Sequence, residues 1–505
     1  ARSQPEKVKQ VLEKIRTDGL VPTMEAVFSK VDEPMPLGYC NAGIVLEVGP
    51  GVTGFTTGDR VISNGSHAEI VSVPQNLCAK IPDGVTDEQA AFTVLASVGL
   101  QGVRLLQPTL GERFIVYGMG LIGILSVQLL RAHGCDVLGV DISAERLVPA
   151  ERFGARTLNT AAGGNVVAAA NAWTDSRGVD GVLVTAAAHT DEIMHQSAQA
   201  CRKRGRIVLV GVVGLNLQRA DFYEKELSLQ VSCSYGPGRY DDKYEQAGQD
   251  YPYAYVRWTE QRNFEAILDA LAAGRLRVNE LISHRYPLAE AAAGYNTIST
   301  DRRALGVVLE YPSEVSRESA VPVARGSAVP AGTTSYGVIG AGNFSKLVLL
   351  PSLLKAGARV AAVADINPAA AHNLAGKFGA GHALTDYRKI LEDPAIGGVF
   401  VIVGHHLHAR FVCEALAAGK HVFVEKPLAM NEEELTRVRE ALQGAPGRHL
   451  MVGFNRRFSP HVQRIRQLLA GRSEPLAMNM TINAGFIPSN HWVHDPVLGG
   501  GRIIG

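Results

Sequence analysis

A short apolar run followed by a glycine-rich turn occurs twice in this chain, more than two hundred residues apart. The first copy spans 114–123 and ends in GMGLIG, and the second spans 336–345 and ends in GAGNFS. Each is followed by another apolar run that ends in an acid, Asp141 or Asp365. The order strand, tight turn, helix, strand and acid predicts two βαβ units of the Rossmann type.

The glycines of each turn have separate tasks in such a unit. The first allows the turn, the second lets the backbone approach a pyrophosphate, and the third, replaced by Ser345 in the second unit, packs the helix on the strand. The acid accepts hydrogen bonds from a ribose 2′-hydroxyl and repels a 2′-phosphate, so we expect NAD rather than NADP. The expected cofactor contacts are Gly118, Gly120, Gly123 and Asp141 in the first unit, and Gly340, Gly342, Asn343, Phe344 and Asp365 in the second.

Composition is that of an ordinary globular protein. The chain has 505 residues, 46% hydrophobic and 20% charged, and this length predicts two or more domains. A net charge of +1 gives no support for a nucleic-acid partner. Six scattered cysteines without a CxxC pair indicate free thiols in a reducing cytoplasm. The uncharged stretch 114–130 has glycines at Rossmann spacing, so we expect a buried strand and helix there and no membrane segment.

Hydrophobic periodicity divides the chain into segments. Residues 6–30 have an amphipathic helical pattern, 38–81 are rich in short strands, and strand and helix patterns alternate over 93–271 before short strands return at 282–310. Prolines among Ser, Gly and Ala mark 312–335 as a linker. A second alternating series occupies 336–452, and partial alternation at 476–483 predicts a half-buried strand. The last residues stop in mid-pattern, so we expect a fragment.

Residues 38–310 resemble the medium-chain dehydrogenase/reductase family. The similarity lies in LGYCNAGIVLEVG at 37–49, GFTTGDRV at 54–61, SHAEIV at 66–71 and GRIVLVG at 205–211. It implies a β-barrel-like, GroES-like substrate part beside a Rossmann domain, with Gly211 at the cofactor. Zinc-dependent members carry His and Glu where this chain has Tyr39 and Cys40, and their four-cysteine lobe is absent. The resemblance is therefore to the zinc-free branch, with no metal expected and Tyr39 as a positional candidate for catalysis.

Residues 336–505 resemble the glucose–fructose oxidoreductase/inositol dehydrogenase family. The similarity is carried by GKHVFVEKPLA at 419–429 and GFNRRF at 453–458. It implies that Lys426 lies beside the nicotinamide and the reacting sugar carbon, where it handles the hydroxyl proton. The further cofactor contacts that it implies are Glu425, Pro427 and Arg456. The family's downstream acid and histidine would fall at or beyond Gly505, so the site is incomplete in this sequence.

A histidine cluster follows the fourth strand of this second half. The family's Thr-Pro is replaced there by Val403-Gly404, and His405, His406 and His408 come next. Because no carboxylate stands at ligand spacing, capping or nicotinamide contact is favoured over metal binding. His405 and His408 are therefore included among the expected cofactor residues.

We expect an α/β protein with two Rossmann domains, each linked to a substrate-shaping part. The expected Rossmann domains are 101–274 and 336–452. The first has a GroES-like part at 1–100 and 275–311, and the second leads, after the linker 312–335, into an incomplete α/β substrate domain at 453–505. The segment 234–259, rich in tyrosine and arginine, suits either a sugar-facing surface or a contact between domains.

The pairing of these halves resembles the bi-domain oxidoreductases of bacteria. It implies an NAD-dependent oxidoreductase that acts on CH–OH groups of a sugar, nucleotide sugar or polyol, in surface-polysaccharide metabolism. The expected partner is a small sugar-like substrate, with neither nucleic acid nor membrane, and a homo-oligomer is left open. Two alternatives also stay open: one active half with the other as scaffold, and a non-catalytic protein that senses NAD.

Overall fold

The computed structural model describes residues 34–312, 319–323, 334–481, 487 and 491–501. Contacts divide these residues into two compact units, one within 36–315 and one within 1–35 and 316–505. The predicted helix at 6–30, most of the predicted linker and the last residues, 502–505, lie outside the described residues. The finer domain bounds expected from the sequence stay a prediction.

The first unit begins with a small antiparallel sheet, as the sequence predicted for 38–81. Its strands are β1 Asn41–Ile44, β2 Arg60–Ser63 and β3 Cys78–Lys80. Ile62 pairs with Ala42 on one side and Ala79 on the other, and it is fully buried at the centre of the sheet. A short helix, α1 Asp87–Ala90, follows, and it begins at Thr86, which forms a capping box with Gln89.

A parallel sheet forms the larger part of the first unit. Its strands are β4 Arg113–Tyr117, β5 Asp136–Asp141, β6 Arg156–Asn159, β7 Val179–Val184, β8 Cys201–Leu209 and β9 Ser228–Val231. Within the described residues their order in the sheet is β6-β5-β4-β7-β8-β9. The order reverses between β4 and β7, and ligands of such sheets bind beside the carboxyl ends of the strands at this point.

Alternate residues of β4 face two separate apolar clusters, as the two faces of a strand require. Phe114 and Val116 lie in one cluster, and Ile115 and Tyr117 lie in the other. The sheet is therefore buried on both faces, which explains its almost continuous apolar strands. The helices of this part are α2 Thr93–Leu106, α3 Leu121–Ala132, α4 Ala144–Arg152, α5 Val166–Trp173, α6 Glu192–Ala200, α7 Arg219–Tyr223, α8 Asp242–Glu245 and α9 Glu260–Ala272.

The first unit closes with the short strands expected at 282–310. Strands β10 Ile282–Pro287 and β11 Gly306–Glu310 pair in parallel, and helix α10 Ala291–Thr300 lies between them in the chain. Short 3-10 turns lie at Gln75–Leu77, Asn279–Leu281 and Leu288–Glu290. Among all the helices that the structure describes, none has the length and apolar character needed to cross a bilayer.

The second unit repeats the same sheet order with one strand added. In its described residues the order is β12-β15-β14-β13-β16-β17-β18, and every pair is parallel except β12 with β15. The strands are β12 Ala320–Pro322, β13 Ser335–Ile339, β14 Arg359–Ala364, β15 His382–Leu384, β16 Ile396–Val401, β17 His421–Val424 and β18 Leu450–Val452. The predicted α/β class with two Rossmann domains is thus confirmed.

The helices of the second unit begin with an irregular turn. A π-helical turn, Ser345–Leu349, leads directly into α11 Leu350–Lys355. The later helices are α12 Pro368–Phe378, α13 Arg388–Glu392, α14 His408–Ala417, α15 Glu432–Gln443 and α16 Pro460–Leu468, with 3-10 turns at His405–Leu407, Asn455–Phe458 and Trp492–His494.

Two short segments differ from the sequence prediction. Ala320–Pro322, inside the predicted linker, is a strand because β15 offers it an unpaired antiparallel edge. The predicted strand at 476–483 does not form over its described residues, 476–481, where no neighbouring strand supplies hydrogen bonds. Residues 482 and 483 lie outside the described chain.

Candidate functional site

The glycine turn after β4 is packed too tightly for a larger residue at its first and third glycines. Gly118 has a φ of 90°, and a Cβ there would lie 2.8 Å from the Cα of Ala186, just beyond β7. A Cβ on Gly123 would lie 1.8 Å from the carbonyl oxygen of Gly118. Thr185 secures this oxygen, since its hydroxyl donates to it at 2.8 Å. Both predicted glycines are therefore required by the turn itself.

The turn after β13 has the same shape, but a different side chain hydrogen-bonds the carbonyl oxygen of its first glycine. Gly340 has a φ of 108°, and a Cβ there would lie 1.8 Å from the carbonyl oxygen of Ile402. At the third position, the hydroxyl of Ser345 donates to the carbonyl oxygen of Gly340 at 2.6 Å. Gly342, by contrast, has no atom within 4 Å of a Cβ position, so its outer side is open to a ligand.

The two acids are held in the same way at the ends of β5 and β14. Asp141 accepts from the backbone N–H of Met119 at 2.6 Å and of Ser143 at 2.8 Å. Asp365 accepts from Ala341 at 2.7 Å and from Asn367 at 2.8 Å. Each carboxylate thus stands beside its glycine turn with lone pairs left for ribose hydroxyls. The residues of both turns fit an NAD molecule, with its pyrophosphate at the helix N-terminus.

The other predicted cofactor residues have varied surroundings. A Cβ on Gly211 would lie 2.1 Å from the carbonyl oxygen of Ala186, so close packing of strand ends already explains this glycine. Phe344 is partly buried in an apolar cluster, whereas Asn343 and Arg456 are exposed. Their contacts with a cofactor stay predictions.

Lys426 lies two residues beyond the end of β17, at the carboxyl edge of the second sheet. It is exposed, and its peptide bond to the buried Pro427 is cis. Its backbone N–H donates to Oε2 of Glu425 at 3.2 Å. Burial raises the pKa of Glu425, and the Lys426 amide and charge oppose this rise. The turn therefore presents an ammonium group outward beside a half-buried carboxyl.

His408 connects this turn to the neighbouring strand end. Its Nδ1 lies 2.6 Å from the carbonyl oxygen of Pro427, and its Nε2 lies 3.1 Å from that of Val403, just beyond β16. Burial lowers the pKa of this imidazole, and the two carbonyls oppose that effect. Because both ring nitrogens face carbonyl oxygens, the geometry favours a role in holding the turn over metal ligation.

His405 packs against a part of the chain that the sequence did not connect with the site. Its Nδ1 lies 3.0 Å from the carbonyl oxygen of Gly499, and its ring lies 4.8 Å from that of Trp492. Burial lowers the pKa of His405. Nδ1 of His406 is buried and has no hydrogen-bond partner among the described residues. Nothing in the sequence pattern signalled the contact with Trp492.

Replacing His408 by alanine should destabilise the second unit by about 1–3 kcal/mol, because the buried imidazole no longer packs against the two carbonyl oxygens and the one that accepts its N–H loses its donor. Denaturant unfolding of the full chain measures this change. His372→Ala, at an exposed position of α12, is the matched control and should leave the free energy of unfolding unchanged. Equal stability of the two variants would contradict the connecting role of His408.

In the first unit, Tyr39 is partly exposed to solvent, whereas the thiol of Cys40 is buried. Tyr39 is half exposed, and burial together with Cys40 raises the pKa of its phenol. The Cys40 thiol donates to the carbonyl oxygen of Ala91, and burial raises its pKa to about 11. A thiol in this state is a poor zinc ligand, and no cluster of three metal-binding side chains occurs among the residues that the structure describes. The residues around Tyr39 do not fit a catalytic zinc ion.

A histidine–tyrosine pair lies close to Tyr39, and the sequence did not reveal it. Nδ1 of His67 lies 2.6 Å from the hydroxyl of Tyr295 on α10. The two residues are 228 positions apart in the chain, so no local motif joins them.

The segment 234–259 has both buried and exposed aromatic residues. Tyr235 and Tyr244 are buried, and the backbone of Tyr244 accepts from the side chain of Asn76, in the region of the small antiparallel sheet. Tyr240 and Tyr255 are exposed. Part of the segment is therefore a contact within the first unit, and the exposed rings leave the sugar-facing role a prediction.

Three family models match the chain. An alcohol dehydrogenase GroES-like domain matches residues 9–83, a zinc-binding dehydrogenase model matches 122–249, and an oxidoreductase family with an NAD-binding Rossmann fold matches 334–454. Together with the two glycine turns, these matches define a chain with two NAD(P)-dependent oxidoreductase halves, and they confirm NAD as the cofactor. The chain fuses a medium-chain dehydrogenase/reductase half to a half of the glucose–fructose oxidoreductase/inositol dehydrogenase type.

Individual relatives match one half or the other. (R,R)-Butanediol dehydrogenase of Bacillus subtilis (strain 168) is 28% identical over 248 residues, 41% of this chain and 71% of that protein. Inositol 2-dehydrogenase of Rhizobium meliloti (strain 1021) is 34% identical over 137 residues, 27% of this chain and 41% of that protein. Among solved structures, alcohol dehydrogenase TADH from Thermus sp. ATN1 is 24% identical with a TM-score of 0.47, covering 55% of this chain and 84% of that chain. The chain thus spans less than half of the inositol dehydrogenase.

Proposed function

We propose that the chain oxidises or reduces CH–OH groups of a sugar, nucleotide sugar or polyol with NAD, and that it serves bacterial surface-polysaccharide metabolism. The observation that carries this proposal is the arrangement at the carboxyl edge of the second sheet. The Gly340 turn follows β13, Val403 follows β16 and Lys426 follows β17, and these three strands are neighbours in the sheet. An ammonium group is thereby set beside the edge at which Rossmann sheets bind their cofactor.

The chemistry that follows is proton handling by Lys426. NAD supplies a hydride acceptor or donor when it is bound. In oxidation the Lys426 amine accepts the proton of the substrate hydroxyl, and in reduction the Lys426 ammonium gives that proton to the substrate carbonyl oxygen. His408 and the Pro427 carbonyl fix the backbone from which this side chain extends. The names of the relatives, a butanediol and an inositol dehydrogenase, support a polyol or sugar as substrate.

We propose further that the first half works without zinc. The support is the environment of Cys40, whose thiol is buried, hydrogen-bonded to a backbone carbonyl and raised in pKa. Tyr39 stands where a zinc-dependent relative would carry a histidine ligand. A protein group must then take over the stabilisation of the alcohol oxygen that a zinc ion provides as a Lewis acid.

Calorimetric titration of the full chain should show two NAD molecules per chain, bound more tightly than NADP because Asp141 and Asp365 would repel a 2′-phosphate. Elemental analysis of the same sample should find no stoichiometric zinc. A stoichiometry of one, tighter NADP binding or one zinc per chain would each contradict the corresponding part of the proposal. NADH formation from a panel of polyols and nucleotide sugars tests the activity itself.

A further inference from the structure

The ring of His67 lies directly against the backbone beside Tyr39. The backbone N–H of His67 donates to the carbonyl oxygen of Leu37 at 2.7 Å, which holds the two segments together. A Cβ on Gly38 would lie 2.2 Å from the His67 ring, so only a glycine leaves room for the imidazole there. The imidazole therefore stands next to the position at which zinc-dependent relatives carry a metal ligand.

The loop that carries Asn64 and His67 is bonded to the carboxyl edge of the parallel sheet. The Asn64 amide donates to the hydroxyl of Tyr235 at 3.1 Å. Tyr235 follows soon after the end of β9, and its backbone carbonyl accepts from Asn263 at 2.8 Å on α9. His67 is thus carried by a loop bonded to the edge at which the Gly118 turn receives the cofactor.

The surroundings of the His67–Tyr295 pair set its protonation state. Burial lowers the pKa of His67 and raises the pKa of Tyr295, so at neutral pH the imidazole is neutral and the phenol keeps its proton. Tyr311 and Glu69 are titratable groups near the pair, and Tyr39 adjoins Gly38, against which the His67 ring lies. Burial raises the pKa of Tyr311, and the charges of Tyr295 and Glu69 add to this rise. The Tyr311 hydroxyl is buried and has no hydrogen-bond partner among the described residues, which leaves a polar group beside the pair for an incoming hydroxyl or water.

We propose that His67 is the proton acceptor for alcohol oxidation in the first half and that Tyr295 is its positioning residue. This inference rests on the proposed function of that half. Nδ1–H of His67 donates to the Tyr295 hydroxyl, which leaves the lone pair of Nε2 to the substrate. The substrate O–H bond breaks and its proton goes to Nε2, while the C–H bond breaks and its hydride goes to the oxidised nicotinamide. The products are a carbonyl compound, the reduced cofactor and an imidazolium ion that then releases its proton to water.

The parent for this test is the full chain carrying Lys426→Ala, which lowers the contribution of the second half to turnover. The assay contains NAD and either (R,R)-2,3-butanediol or xylitol. His67→Gln should lower kcat/KM about 100-fold, the lower end for loss of a general base, without changing NAD affinity. His133→Gln, at an exposed histidine at the end of α3, is the control and should change neither. In the parent, kcat/KM should fall as the pH is lowered, with a midpoint below the ordinary histidine pKa of 6.5, because only neutral His67 accepts the proton. Tyr295→Phe should move this fall to a different pH, which a merely structural role would not do.

A second readout does not depend on turnover. In the full chain labelled with ¹⁵N-histidine, the His67 resonances, identified by their loss in His67→Gln, should shift when butanediol is added to the NAD complex. Unshifted resonances, or equal kcat/KM in His67→Gln and its parent, would overturn the inference and leave the proposed function standing. A parent chain that oxidises neither alcohol, and no other member of the polyol panel, would overturn the proposed function of the first half, and the role of His67 with it.

Discussion

Lys426→Ala should lower the turnover of the second half by about 10²–10⁴-fold, the scale for losing a group that transfers a proton in the transition state. The alanine leaves the backbone of the turn in place, because the Pro427 carbonyl still faces His408. NAD affinity should therefore change little, since the pyrophosphate is bound by the Gly340 turn and the ribose by Asp365. Rates of NADH formation from myo-inositol, or from the polyol that the parent oxidises fastest, measure the effect.

The control for this variant is Lys355→Ala, at an exposed lysine on the last turn of α11. It removes the same side chain from the same unit and should leave turnover and NAD affinity unchanged. If Lys426→Ala also kept full turnover, either the second site would be inactive or another residue would handle the proton. Calorimetry on the same samples separates a loss of catalysis from a loss of cofactor binding.

Alanine substitutions at two glycines of one turn should differ in their effect on the free energy of unfolding. Gly340→Ala places a Cβ 1.8 Å from the carbonyl oxygen of Ile402 at a φ of 108°, so the end of β16 must move. We expect a loss of at least about 1–3 kcal/mol in the free energy of unfolding from backbone strain alone, together with loss of NAD binding to the second half. Gly342→Ala meets no atom within 4 Å, so the unit should keep its stability.

Gly342→Ala should nevertheless weaken NAD binding by about tenfold or more, which is about 1.4 kcal/mol or more, because its methyl group occupies the path of the pyrophosphate. Denaturant unfolding and calorimetric titration of the two variants test both statements. Each variant is the control of the other: one changes the fold and the other only the surface offered to the cofactor. Equal stability of both variants, or full NAD affinity in Gly342→Ala, would contradict the assignment of these two positions.

The parts of the structure that depend on local pattern could be predicted from the sequence. Each βαβ unit is formed by consecutive residues, so its pattern is visible in the sequence. The turns, the following helices and the acids Asp141 and Asp365 were therefore all predicted. The strand Ala320–Pro322 was missed because three residues among prolines have no periodicity of their own and are ordered by β15. The alternation at 476–481 was over-interpreted because a strand needs a partner, which alternation alone does not supply.

The candidate sites show the same limit. Lys426 was found because a contiguous motif surrounds it, whereas the His67–Tyr295 pair joins residues 228 positions apart. The role of His408 was not visible, since the sequence favoured capping or nicotinamide contact and could not show that both ring nitrogens face backbone carbonyls. Residues that act through a distant partner need coordinates before they can be recognised.

In each glycine turn a hydroxyl donates to the carbonyl oxygen of the first glycine, but the position that carries this hydroxyl differs between the two units. In the first unit the backbone N–H of Thr185 bonds to Tyr117, and its side chain fastens the carbonyl of Gly118. In the second unit the equivalent N–H belongs to Ile402, which has no hydroxyl, and Ser345 supplies it from the helix, where the wider π-helical turn begins. The residue after β7 or β16 and the residue at the third glycine position of the turn are therefore linked, because one of the two carries the hydroxyl. In both halves one hydroxyl bonds the carbonyl oxygen of the first glycine: the strand end carries it in the first half, where Gly123 leaves no room for a side chain, and the helix carries it in the second.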